Sequence, residues 1–202
     1  MSWLMSTLYD RVMSSAEQAC LVDWRADLLR DLTGGVLEIG AGTGANLRHY
    51  PAAVTRLVLT EPDLHMLDRL RPRLGDAGAS STELRAASAD ALPFSSATFD
   101  AVVTTLVLCS VGDPARTLAE VFRVLRPGGA LVYLEHVAAD DHPDRLAWQR
   151  RIEPVWKHVA GNCHLTRRTA DAIRDAGFAI EREHRESMRK ALVVTRPPDR
   201  GI

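Results

Sequence analysis

The fold of this chain is decided by the stretch Val36-Leu-Glu-Ile-Gly-Ala-Gly-Thr-Gly-Ala-Asn-Leu-Arg-His-Tyr50. Its first half is apolar apart from one acid, which predicts a short buried strand. Gly40, Gly42 and Gly44 allow a sharp turn and a close approach of the backbone to a ligand, after which we expect a helix. A strand, a glycine turn and a helix predict a nucleotide site. The same glycines also fit the loose dinucleotide fingerprint, so this stretch alone does not identify the nucleotide.

Length, charge and cysteine content limit the class of protein. The 202 residues fit one domain, and a net charge of -1 with scattered basic residues argues against nucleic acid as a partner. Cys20, Cys109 and Cys163 lack the spacing of a disulfide framework or a zinc site, which favours a reducing cytoplasm. The apolar run 101–111 is too short to span a bilayer, so we expect no integral membrane anchor. The oligomeric state stays open.

Strands and helices alternate along the rest of the chain. Further strands are predicted at 56–61, 82–87, 98–105 and 130–137. Helices are predicted at 63–74, 113–125 and 141–159, and from a Thr166 cap to Gly177. The last two apolar segments, 178–183 and 191–195, predict an antiparallel hairpin at the sheet edge. This order predicts an α/β fold with a doubly wound, mostly parallel, seven-stranded sheet.

We expect the single domain, 1–202, to have three parts. Residues 1–32 would form an N-terminal helical cap, either a packing helix or a flap that places Tyr9 over the ligand. Residues 33–137 would form the cofactor-binding core, and residues 138–202 the substrate-side helices and the edge hairpin.

Glu61 ends the second predicted strand, about 20 residues after Gly40. A carboxylate at this place suits hydrogen bonds to two ribose hydroxyls. The alternative is an acid that caps the helix after Pro62.

Five motifs then occur in one order along the chain. They are Glu38-x-Gly40-x-Gly42-x-Gly44, Glu61, Ser88-Ala-Asp-Ala-Leu-Pro-Phe94, Phe99-Asp-Ala-Val102 and Leu125-Arg-Pro-Gly-Gly129. Together they resemble the class I S-adenosylmethionine-dependent methyltransferases over nearly the whole chain, which implies the Rossmann-like fold of that family. A dehydrogenase is disfavoured because no tyrosine has a lysine four residues on.

The resemblance implies an S-adenosylmethionine site, with S-adenosylhomocysteine as product and no metal. The three glycines would lie against the methionine part, Glu61 would bind the ribose, and Asp90 the adenine amino group. Met66 would pack on the adenine face. The other implied cofactor residues are Glu38, which would order the glycine loop or serve only as a structural acid, Asn46, which would face the methionine carboxylate, and Pro62, Ala91, Thr105 and Leu106.

A narrower resemblance lies in three other strings. Thr105-Leu-Val-Leu-Cys-Ser-Val111, Glu135-His-Val-Ala-Ala139, and Trp156 with Cys163-His-Leu-Thr-Arg167 look like the branch that contains the membrane-associated alkyl thiol methyltransferases of animals and their bacterial relatives. We expect the chain to depart from it by lacking the N-terminal anchor and by a shorter, different tail around 186–194. This resemblance implies methylation of a small molecule, most simply a thiol. The alternatives are O- or C-methylation of a phenol or quinol, or a non-catalytic cofactor-binding module.

His136, at the carboxyl end of the fifth predicted strand, is the candidate catalytic base, or else a histidine held beneath the following helix. The candidate substrate-binding residues are Tyr9, Cys109, Trp156, Cys163 and His164. Cys109 also fits a packed thiol. A metal cluster of His158, Cys163 and His164 has no companion pair at ligand spacing, so no metal site is predicted.

Overall fold

A single sheet forms the centre of the computed structural model, which describes residues 21–186 and 189–197. Five parallel strands are β1 (Gly34–Ile39), β2 (Val54–Thr60), β3 (Thr82–Arg85), β4 (Phe99–Thr105) and β5 (Leu125–His136). Two more are β6 (Ala179–Glu186) and β7 (Arg189–Thr195), with β7 antiparallel to both β5 and β6. The strand order is β3-β2-β1-β4-β5-β7-β6. The predicted Rossmann-like α/β fold is therefore confirmed.

Five α-helices occur in the described part of the chain. They are α1 (Val22–Leu29), α2 (Leu64–Leu70), α3 (Pro114–Val124), α4 (Pro143–Val159) and α5 (Thr169–Asp175). Two 3-10 helices occupy Leu47–His49 and Arg71–Asp76. Within the described ranges, none of the helices has the length and apolarity needed to cross a membrane.

Apolar residues cover both faces of the parallel strands. Val36 contributes to one core cluster, whereas its neighbours Leu37 and Ile39 contribute to another. Because successive side chains of a strand point to opposite faces, this division places one core on each side of the sheet. The loops at the carboxyl ends of the strands are thus left as the accessible edge.

The helix predicted directly after the glycine loop is wrong. Only a 3-10 turn, Leu47–His49, forms there, and Tyr50 is already extended with φ -73° and ψ 126°. Pro51 follows Tyr50, and a proline disfavours helical backbone in the residue before it. The chain therefore turns directly towards β2.

Two helix N-caps are predicted after residue 112, and only one of these predictions is confirmed. Asp113 caps α3 as predicted, because its carboxylate accepts a hydrogen bond from the Arg116 N–H at 3.0 Å. The predicted Thr166 cap is wrong: α5 begins at Thr169, with Arg168 as the preceding residue. The Thr166 hydroxyl instead donates to the Glu153 carboxylate at 2.7 Å.

Two further predictions concern the start of α4 and the N-terminal segment. The helix predicted from residue 141 begins at Pro143, whose fixed φ suits the first helical position. Tyr9 and the first 20 residues of the predicted N-terminal cap lie outside the described residues. The three-part division of the domain stays a prediction.

Candidate functional site

A cavity of about 390 Å³ opens beyond the carboxyl ends of β1, β2 and β4. This edge lies next to the switch point between β1 and β4, where the strand order reverses, and open α/β sheets bind ligands at such a place. The volume falls in the range of small-molecule pockets. Its wall contains eight of the predicted cofactor residues, namely Gly40, Gly42, Glu61, Pro62, Met66, Asp90, Thr105 and Leu106.

The other predicted cofactor residues lie elsewhere. Glu38, Gly44, Asn46 and Ala91 are absent from the described lining. The lining residues that sequence reasoning did not name as site residues are Ile39, Ala87, Ser88, Ala89, Val107, Ser110, Val111, Gly112, Asp113, Thr117, Ala160 and Gly161. Six of them, Ile39, Ser88, Ala89, Val107, Ser110 and Val111, lie inside the motifs quoted above, so those motifs were the available signal.

The glycines of the loop have different roles. Gly40 and Gly42 have φ values of +66° and +56°, in the region that favours glycine. Among the described residues, apart from its chain neighbours, a Cβ at Gly42 would meet no atom within 4 Å, whereas one at Gly40 would lie 2.5 Å from a Val107 methyl. Gly44 packs on Leu47 and Leu70. Gly42 is therefore the glycine whose missing side chain leaves cavity space open.

Glu61 is positioned by backbone groups at the cavity wall. Its carboxylate accepts hydrogen bonds from the N–H of Gly42 and of Asp63, each at 3.0 Å. Burial raises the pKa of the Glu61 carboxyl, and these two hydrogen bonds act in the opposite direction. The residue is only 9% exposed. Through the hydrogen bond from the Gly42 N–H, its carboxylate links the glycine loop to the end of β2.

Asp90 supplies a second acid in the cavity wall. The Ser88 hydroxyl donates to its carboxylate, and the hydrogen bond lowers the pKa of that carboxyl. The guanidinium of Arg116 donates to the Asp90 carbonyl at 3.0 Å, which ties this loop to α3. An ionised acceptor is therefore available at the cavity wall.

A buried polar network lies behind the glycine loop. Glu38 accepts hydrogen bonds from the Asn46 amide and from the Tyr50 hydroxyl, both at 2.8 Å. The Asn46 carbonyl accepts from Arg25 at 2.7 Å, and its amide also contacts the Thr105 hydroxyl at 3.1 Å. Asn46 is fully buried and supports the loop from within, away from the cavity surface.

The segment after β4 is held from two sides, by residues to which sequence reasoning gave no role. Glu135, fully buried at the end of β5, accepts hydrogen bonds from the N–H of residues 107, 108 and 109 at 3.0, 2.8 and 3.0 Å. The Arg167 guanidinium donates to the carbonyls of Leu108 and Val111. Burial raises the Glu135 pKa and lowers the Arg167 pKa. The sequence signal that could have identified Glu135 was its position as an acid in the apolar run 131–137.

A second cluster contains four of the other predicted site residues, whereas the predicted substrate residue His164 instead contacts Glu153. Cys163 Sγ lies 3.5 Å from Cys109 Sγ and 3.2 Å from His136 Nδ1, and all three residues are buried. The rings of His136 and Trp156 meet edge to face, with centroids 6.3 Å apart. The Cys109 thiol and the His136 ring lower the pKa of Cys163 to about 4. None of these four residues lines the described cavity.

The alternative set of metal ligands does not converge. His158 Nδ1 lies 2.7 Å from the Pro154 carbonyl oxygen, whereas His164 Nδ1 lies 3.4 Å from Glu153. Among the described residues, the group of potential ligands that does converge is Cys109, His136 and Cys163.

Comparisons with known proteins agree with this arrangement. Residues 37–133 match the family described as a methyltransferase domain. Human thiol S-methyltransferase TMT1B is 37% identical over 174 residues, covering 82% of this chain and 71% of that protein. Rat TMT1B is 37% identical over 158 residues, covering 75% of this chain and 64% of its own length. The present chain therefore spans less than two thirds of the rat protein.

A solved structure supports the fold independently. A candidate methyltransferase from Bacillus halodurans superposes with a TM-score of 0.72 at 17% identity, covering 86% of this chain and 98% of the other. Fold, glycine loop and strand-end acids are together the arrangement of a class I methyltransferase. The chain belongs to this family, and within it the chain is similar to the thiol S-methyltransferases.

Proposed function

We propose that the chain transfers a methyl group from S-adenosylmethionine to a small-molecule thiol. The observation that carries the proposal is the cavity at the carboxyl edge of the sheet, with the glycine loop and two acids in its wall. The thiol S-methyltransferase relatives support the choice of acceptor.

The residues of the cavity fit the cofactor. Gly42 leaves backbone exposed to open space, which suits contact with the methionine part. Glu61, already fixed by two backbone N–H groups, would accept hydrogen bonds from ribose hydroxyls. Asp90 would accept from the adenine amino group, with Met66 packed on the ring. When bound, S-adenosylmethionine supplies a methyl group activated by its sulfonium charge.

The chain's own contribution to catalysis is largely positioning. Holding a nucleophile in line with an activated carbon contributes up to about 7 to 11 kcal/mol in well-oriented reactions. A thiol with a pKa of about 8.5 is partly ionised at neutral pH, whereas a phenol with a pKa of about 10 needs a base more urgently. Since the base candidate His136 does not line the described cavity, the acceptor that ionises by itself is favoured.

The test uses the protein with labelled S-adenosylmethionine, a matched series of alkyl thiols and phenols, and calorimetry of cofactor binding. We expect label in the thiols with little in the phenols. Preferential labelling of phenols would favour the phenol or quinol alternative, and tight cofactor binding without transfer to any acceptor would favour the non-catalytic module. A cytoplasmic location stays a prediction that fractionation of the native host can check.

A further inference from the structure

We propose that Cys109, His136 and Cys163 form a site for a soft divalent metal ion of the zinc class, whose open coordination position takes the acceptor thiol. The metal site stands on its own, whereas the thiol ligand rests on the proposed function. The three residues come from the loop after β4, the end of β5 and the loop after α4. Only the folded chain brings them together, which explains why their sequence spacing carries no zinc signature.

The distances match a tetrahedral site. The two sulfur atoms lie 3.5 Å apart, and His136 Nδ1 lies 3.2 Å from Cys163 Sγ and 3.9 Å from Cys109 Sγ. Zinc bonds of about 2.3 Å to sulfur and about 2.0 Å to nitrogen place the ligand atoms of a tetrahedron roughly 3.5 to 3.8 Å apart. A metal ion at the centre therefore requires side-chain shifts of only a few tenths of an ångström.

A metal accounts for more of this geometry than a disulfide does. Cys109 and Cys163 are free thiols, and their separation far exceeds a disulfide bond of about 2.04 Å. A disulfide would also leave His136 unexplained, although its ring nitrogen lies near both sulfur atoms. Two thiolates and a neutral imidazole are a normal ligand set for zinc.

The two loops that carry the cysteines are joined to each other by hydrogen bonds. The His164 N–H donates to the Cys109 carbonyl at 2.8 Å. The Asn162 amide donates to the Ser110 carbonyl, also at 2.8 Å. Each loop therefore fixes the position of the other, and both bonds form without a metal.

Each cysteine is also held through its own backbone N–H. The Cys163 N–H donates to the Ala160 carbonyl at 3.1 Å. The Cys109 N–H donates to the Glu135 carboxylate at 3.0 Å. Ligands held by such outer contacts lose little freedom when they coordinate an ion.

Charge also favours an ion at this place. All three ligands are buried, with exposed fractions of 0% for Cys109, 8% for His136 and 4% for Cys163. Two thiolates balance the charge of a divalent cation, so the site with its three protein ligands is neutral before the acceptor binds. Among the described residues, Glu135 and Arg167 lie near the thiols and carry opposite charges. The ion is therefore compatible with the buried surroundings.

Three protein ligands leave the fourth tetrahedral position open, as in catalytic zinc sites. The cluster adjoins the cavity, because the Ser110 hydroxyl lies 3.5 Å from Cys109 Sγ and Ala160 packs against the cluster, and both residues line the cavity. When a thiol binds, its S–H bond breaks, the proton passes to solvent, and the sulfur electron pair forms the metal–sulfur bond. A coordinated thiol is deprotonated outright, so the metal would present a thiolate beside the cavity.

The test titrates the reduced full chain, freed of metal by a chelator, with Co²⁺ in the absence of cofactor and acceptor. We expect a single Co²⁺ per chain with thiolate-to-cobalt absorption, and its displacement by Zn²⁺, which binds such sites more tightly. Cys163→Ser and His136→Asn should weaken binding by more than the roughly 10- to 100-fold that loss of an outer-shell partner costs. Cys20→Ser, which removes the cysteine that is not a proposed ligand, is the matched control and should bind Co²⁺ like the wild type.

A small alkyl thiol should then change the visible spectrum of the bound cobalt, whereas a phenol of similar size should not. If the reduced wild type binds no stoichiometric metal, the metal site is overturned. The same holds if Cys109 and Cys163 oxidise to a disulfide during the titration and no metal binds. Unchanged binding in Cys163→Ser overturns the ligand assignment, and a spectrum that ignores thiols overturns the fourth ligand. No readout here uses methylation, so intact cobalt and thiol binding without methyl transfer refutes the proposed function alone.

Discussion

Gly42→Val provides the most direct test of the cavity as the cofactor site, and Gly128→Val is its matched control. Both glycines have positive φ, +56° and +78°, and within the described part of the chain a Cβ at either would meet no atom within 4 Å other than those of its chain neighbours. A side chain in the left-handed region costs about 1 to 2 kcal/mol at each position. For a chain of this size we therefore expect the unfolding temperature of both variants to fall by about 2 to 8 °C.

Of these two glycines only Gly42 lines the cavity, so the two variants should differ in cofactor affinity. Inserting a branched side chain into occupied space costs about 1 to 3 kcal/mol, which corresponds to a dissociation constant about 5- to 150-fold higher. Calorimetric titration with S-adenosylmethionine measures this value, and thermal unfolding measures the shared strain. Wild-type affinity in Gly42→Val, or an equal loss in both variants, would refute the assignment of the cavity.

Four further predictions concern the acids. Glu61→Gln should weaken cofactor binding by about 1.5 to 3 kcal/mol, the usual range for a hydrogen bond to a charged group. Asp90→Asn should also weaken it. For each variant, an unchanged cofactor affinity in calorimetry would reject the role of that residue. Glu135→Gln should lower the free energy of unfolding by about 1 to 3 kcal/mol, because an amide cannot accept all three backbone hydrogen bonds, and urea unfolding with no change would contradict this account. Burial raises the Glu38 pKa, so the folded state binds more protons than the unfolded state. The Glu38 contribution to the free energy of unfolding therefore falls as pH rises above about 4.3. Urea unfolding measured across pH should show that Glu38→Gln removes this part of the pH dependence.

The structure also revises the interpretation of His136. At the end of a predicted strand, a histidine suits a general base, but its ring lies beside two cysteines and outside the described cavity lining. The role as a base therefore stays a prediction, and the metal-ligand role competes with it. Co²⁺ binding by His136→Asn separates the two, because a base that binds no metal would leave the cobalt affinity unchanged.

The sequence by itself determined most of the order of elements and the acids at the strand ends. Apolar runs separated by glycine and proline indicate strands and turns through local chemistry, and the Asp113 cap of α3 depends on neighbouring residues alone. Gly42 and Glu61 could be found for the same reason, since each lies at a strand end that local pattern identifies.

Only the tertiary structure decided how distant segments meet. The resemblance predicts Asn46 at the ligand, and the structure shows its side chain held by Arg25, Glu38 and Thr105, partners that the sequence does not place beside it. Cys109 and Cys163 are 54 positions apart along the chain and 3.5 Å apart in space. Hydrogen bonding and metal coordination depend on distances between atoms, and strand pairing and loop packing set those distances only when the whole sheet has formed.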